Sequence, residues 1–170
     1  WKVPIHMPRV LIGSIADRRV SISLAALLVK VTARMPAGET RPFWISQAIR
    51  VPPVKKIEVA IPGLAPEFDG YRMVQLTDLH ISRLFTGRWA SAVVEKTNAL
   101  NADLIVITGD LIDGSLDIRR EDIAPLAELK ARDGVMTVPG NHEYFFDVDR
   151  WLAHFPLLNM RILANAHAVI

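Results

Sequence analysis

Cysteine is absent from this chain of 170 residues. Its absence excludes disulfides, zinc–thiolate sites and thiol nucleophiles. Any bound metal must therefore be held by histidine, aspartate, glutamate or asparagine, a donor set suited to hard and borderline divalent cations. A membrane-length apolar run is lacking too. The best candidate, Val20 to Val31, is twelve residues long and contains Lys30, whereas a span needs roughly 20 apolar residues. The reading is thus of a chain without a transmembrane helix, cytoplasmic or peripheral to a membrane. Several glycine motifs are missing as well. There is no Gly-x-Gly-x-x-Gly for a dinucleotide, and no Gly-x-Ser-x-Gly elbow for a serine hydrolase. Gly109 and Gly114 have P-loop spacing, but Ser115 stands where the phosphate-binding lysine is required. Aromatic residues make up only 7% of the chain. In the basic N-terminal part, only Phe43 and Trp44 lie near Arg41, which is too sparse for a nucleic-acid surface, so no nucleic acid is expected.

What is present is a globular composition, 51% hydrophobic and 22% charged, with charge divided unevenly. Residues 1–56 hold ten Lys/Arg against Asp17 and Glu39, a net charge of +8; the remainder carries −6. The first part, residues 1–53, reads as a basic arm with a short apolar helix around 18–33 and a Pro-rich linker ending at Pro52-Pro53. Such an arm suits an anionic membrane surface, although its charges are spread out as on an ordinary solvated segment.

From residue 54 to 170 the pattern is that of a second unit. Residues 56–61 alternate polar and apolar as a half-exposed strand, and residues 71–77 form another. Strands and helices then alternate: a helix over 87–100, a strand over 103–108, an amphipathic helix over 119–131, a strand over 134–138, a helix over 147–155 and a strand from Met160. Repeated βαβ units imply an α/β fold with a mostly parallel sheet.

Three polar clusters fall at the carboxyl ends of three successive strands, where open α/β sheets bind their ligands. They are Asp78-Leu79-His80, Gly109-Asp110-Leu111-Ile112-Asp113 and Gly140-Asn141-His142-Glu143. Each has a bland reading: a turn for the Gly-Asp, a helix cap for Asn141, a surface histidine for His142, a local pair for Asp78 and His80. Their recurrence in order, at helix-length spacing, requires that explanation three times over. If extended geometry persists, Asp78 and His80 share one side while Leu79 enters the core. Asp110 could then bridge two cations and Asn141 could offer a neutral oxygen. Two metals about 3.5–4 Å apart can generate hydroxide and hold both oxygens of a phosphoryl centre, and His142 could protonate the leaving alkoxide.

With their flanks, VQLTDLHIS, DLIVITGDLIDG and GVMTVPGNHEYF, these motifs resemble the calcineurin-like metallophosphoesterases, in particular a bacterial branch often found behind membrane-anchoring segments. The resemblance covers roughly residues 54–170. It implies a sandwich of two β-sheets flanked by helices and a dinuclear centre of Mn, Fe or Zn acting on phosphate esters. By resemblance Asp78 and His80 bind the first metal, Asp110 bridges, Asn141 binds the second and His142 is the acid; Asp113 and Glu143 support these residues rather than ligate. The family completes its centre with later histidines, including a Gly-His-x-His motif, which this text does not contain. His6, His154 and His167 are not assigned as ligands. The expectation is therefore the first half of the domain, truncated before its second sheet, with an apolar sheet face left uncovered. The alternative function is a non-catalytic metallophosphoesterase-like domain with an incomplete metal site.

Overall fold

The computed structural model describes residues 50–170 and, as backbone alone, residues 19–26. Six strands form one sheet: β1 (Arg19–Ala26), β2 (Lys55–Ala60), β3 (Arg72–Thr77), β4 (Leu104–Ile107), β5 (Val135–Thr137) and β6 (Met160–Ile162). Their spatial order is β2-β1-β3-β4-β5-β6. All neighbours are parallel except β1 and β2, so the antiparallel strand lies at the edge. This is the mixed α/β architecture expected from the alternating elements.

One correction falls on the arm. The stretch read as a helix around 18–33 is strand β1 over Arg19–Ala26, paired with Ile57 and Met73 through Ile22. Val20-Ser21-Ile22-Ser23-Leu24 alternates with period two and is rich in β-branched residues, which favours a pleated conformation. Residues 27–33, and the linker as far as residue 49, lie outside the described residues.

Helices pack on one face of the sheet. Helix α1 (Gly87–Asn98) buries Trp89, Ala90, Val93, Val94 and Thr97, one stripe at helical spacing. Helix α2 (Leu116–Ile123) begins earlier than the sequence suggests, with Ser115 at its N-cap, and ends before Pro125. Proline has no N–H to continue the ladder, so the chain passes into a 3-10 turn over Ala124–Glu128. Ile123, Leu126 and Leu129 are nevertheless buried as their spacing requires. A short helix, α3 (Asn141–Phe145), follows β5, and α4 (Val148–His154) buries Trp151 and His154. Their apolar side chains join Val74, Leu76, Ile105, Ile107, Val135 and Met160 in the main core.

The opposite face is thinner. Tyr71, Leu104 and Met136 are buried there, packed with Leu64, Phe68 and Leu163, while Met73 and Val106 are only half-buried. At the amino-terminal edge, the Tyr71 hydroxyl donates to Asp133 Oδ2 at 2.7 Å. Burial and this carboxylate push the phenol well above its usual range. Arg132 spans Asp103 and Asp133 over the Tyr71 ring.

Candidate metal centre

Beyond the carboxyl ends of β3 and β4 the two chains continue side by side. The N–H of Asp78 donates to Gly109 O at 3.2 Å, that of His80 to Asp110 O at 3.0 Å and that of Ile81 to Leu111 O at 2.8 Å; Asp113 N–H returns to Ile81 O at 2.9 Å. Leu79, Ile81, Leu111 and Ile112 are fully buried beneath this paired segment. Leu79 therefore enters the core as alternation predicts. The backbone, however, is not extended. Asp78, His80 and Asp110 adopt left-handed conformations with φ of 54°, 44° and 54°. Such strain persists only where the surroundings over-determine it, and it gathers at functional sites. Here the cross-loop hydrogen bonds and the buried leucines and isoleucines hold it.

The left-handed turns bring polar groups together. Asp78, His80 and Asp110 each offer a ligand atom within 4.8 Å of the others, and so do His80, Asp113 and His142. His80 Nε2 lies 4.0 Å from Asp78 Oδ1. Ligands about 2.0–2.2 Å from a shared cation cannot be more than about 4.4 Å apart, so this pair fits one ion. The other ring nitrogen of His80, Nδ1, is 3.0 Å from Asp113 Oδ1. A carboxylate accepts, so Asp113 fixes the Nδ1–H tautomer and leaves the Nε2 lone pair for a cation. His142 Nδ1 rests on the same oxygen, and the two rings meet edge to face with centroids 4.4 Å apart.

Glu143 ties the second and third clusters together. Its side chain is fully buried, and it accepts from the backbone N–H groups of Asp110 at 3.0 Å, Leu111 at 2.7 Å and Gly140 at 2.6 Å. Three donors satisfy a carboxylate that would otherwise be costly to bury. Asp110 Oδ1 in turn accepts from His142 N–H at 2.9 Å. The clasp needs two glycines: a Cβ on Gly109 would overlap the Gly140 backbone, and one on Gly140 would overlap Asp110. Asn141 is exposed at the start of α3, next to this contact. Of the remaining histidines, His154 is buried in α4 and His167 is exposed, both away from the clusters; His6 lies outside the described residues. Thr77 was not singled out from the sequence. Its hydroxyl donates to Asp78 Oδ2 at 2.5 Å, leaving Oδ1 toward His80.

A sequence profile of the calcineurin-like phosphoesterases matches residues 71–168, which include all of these side chains. The chain belongs to that family. Among its calcineurin-like relatives, a transmembrane protein with metallophosphoesterase domain from Bos taurus is 32% identical over 160 residues, 94% of this chain and 35% of that protein. An uncharacterized metallophosphoesterase of Helicobacter pylori is 31% identical over 125 residues, 72% of this chain and 33% of that protein. The UDP-2,3-diacylglucosamine pyrophosphatase LpxG of Chlamydia muridarum is 27% identical over 96 residues, 56% of this chain and 29% of that protein. The chain thus spans about a third of the length of these relatives. No solved structure matches. The family is one of metal-dependent phosphoesterases, and the donor set above fits divalent cations. No helix among the described residues is long and apolar enough to cross a membrane.

Proposed function

We propose that this chain supplies the metal-binding and acid-donating residues of a phosphoesterase that hydrolyses phosphate esters at a dinuclear centre. Asp78 and His80 would hold one cation, Asp110 would serve both, and Asn141 would contribute to the second; Mn, Fe or Zn would suit these donors. A bound metal pair supplies charge neutralisation at phosphorus and an activated hydroxide at neutral pH. The chain's own residues do the rest. Asp113 orients His80 and His142 together, and Glu143 holds the backbone from which Asp110 projects. His142, with Nδ1 on Asp113, presents Nε2 to the ester oxygen and delivers its proton to the departing alkoxide. The basic residues that flank strand β1 within residues 1–53 would offer an anionic membrane surface a counter-charge.

The observation that carries this reading is the convergence of Asp78, His80 and Asp110 within 4.8 Å on left-handed backbone. An aryl phosphate assay with Mn²⁺, run beside Asp110→Asn, tests it. Removing the bridging charge forfeits several kcal/mol of stabilisation, so the variant should lose about 100-fold or more in kcat/KM. Equal rates would contradict the assignment. An inactive chain that also fails to bind Mn²⁺ would favour the non-catalytic alternative.

A further inference from the structure

Arg119, in α2, has a side chain only 11% exposed. Arginine is rarely buried unless it is paired, and this guanidinium is paired twice. Nε donates to the Asp113 carbonyl oxygen at 3.1 Å, and Nη1 donates to Asp122 Oδ2 at 3.0 Å. The other oxygen of Asp122, Oδ1, accepts from the N–H of Gly87, the first residue of α1, at 2.9 Å. That N–H is one of the four that a helix cannot satisfy from within, and the Thr86 side chain makes no capping bond. One guanidinium thus ties the loop after β4 to the start of the helix that follows β3. Gly114 leaves room for it: a Cβ there would lie 3.1 Å from Arg119 Cγ and 3.2 Å from Nε.

The consequence falls on Asp113. Its N–H donates to Ile81 O at 2.9 Å, and its carbonyl accepts from Arg119, so the peptide groups on both sides of its Cα are held. Its carboxylate then receives Nδ1 of His80 and Nδ1 of His142 on one oxygen. Without Arg119 the peptide between Asp113 and Gly114 loses a hydrogen bond beside a glycine, the residue that resists rotation least, and the carboxylate moves with its Cα. We propose that Arg119 is a positioning residue of the metal centre, fixing Asp113 through its backbone and thereby the tautomer and orientation of His80 and His142. The proposal rests on the phosphoesterase reading above and adds a residue to that site. With its fork committed to Asp113 and Asp122, Arg119 acts through Asp113 rather than on a phosphate.

The test is read first without metal. At about pH 8, where an ordinary histidine is neutral, ¹H–¹⁵N spectra of the imidazole rings should show Nδ1–H tautomers for His80 and His142, assigned with His80→Gln and His142→Gln. In Arg119→Met both rings should move toward mixed tautomers, and their Nδ1–H signals should broaden through exchange with water. Calorimetric Mn²⁺ binding should weaken about tenfold, the lower end of what loss of a group behind a metal ligand costs. Arg150→Met breaks a different ion pair of α2, in which Arg150 holds Asp117, and should change neither reading. Arg119→Lys keeps the charge but lacks the flat fork that spans two acceptors. It should show the same changes at smaller size, and it is read in place of the methionine variant should that one not fold. Parent rings found as Nε2–H tautomers, ring spectra unchanged in the Arg119 variant, or the same change in Arg150→Met would each overturn the proposal. So would Mn²⁺ affinity equal to the parent's. In all four cases a parent that binds Mn²⁺ leaves the centre standing. A parent that binds none overturns the phosphoesterase reading and the proposal with it.

Discussion

At the scale of single residues, the candidate ligands depend on a side chain that holds backbone. Glu143 gathers three N–H groups from two loops, and Gly140 lets those loops touch. Gly140→Ala should therefore destabilise the chain by about 1–3 kcal/mol, the usual cost of forcing a methyl group into packed space. Urea unfolding should show a lower midpoint with an unchanged slope; a midpoint equal to that of the parent would mean that the two loops can separate freely. The identities of Asp78, His80, Asp110, Asn141 and His142 as candidates were legible in the sequence, because three polar clusters followed three apolar strands. Their backbone was not. Left-handed φ at an aspartate or histidine costs energy locally and is held by hydrogen bonds from a neighbouring loop, information that no local pattern carries. The pairing of two histidines on Asp113 is likewise a consequence of the loops lying side by side.

At the scale of elements, the period-two and helical patterns located β3 to β6, α1 and α4 within a few residues, since each has a buried stripe. The helix expected around 18–33 gives way to strand β1 because residues 20–24 alternate with period two and pair on both sides with β2 and β3. Helix α2 was displaced because its limits are set by Ser115 and Pro125 rather than by its weakly apolar face. Helix α4 offers a test of packing by pH. His154 is buried with Nε2 unpartnered, and burial, aided by Arg120, holds its pKa below the ordinary histidine value. The unfolded chain then binds a proton that the folded chain refuses. Stability is full above about pH 6.5 and falls as the pH drops below the ordinary value, the loss ending beneath the folded pKa. His154→Leu should flatten part of the decline in urea midpoint between pH 7 and pH 5. Parallel profiles for the two proteins would remove His154 from the explanation.

At the scale of the whole molecule, one mostly parallel sheet with helices on one face delivers three loops to one edge. The opposite face is not bare: Tyr71, Leu104 and Met136 are buried there under Leu64, Phe68 and Leu163, while Met73 and Val106 are half-buried. The central claim is that Asp78, His80 and Asp110 form a divalent-cation site. The most direct measurement is calorimetric titration of Mn²⁺ into the chain beside Asp78→Asn and Asp110→Asn. The account predicts saturable binding by the parent, weakened by about tenfold or more in each variant, since loss of a charged ligand should cost at least as much as loss of a group that merely supports one. Binding of equal strength in all three proteins, or none in the parent, would contradict it.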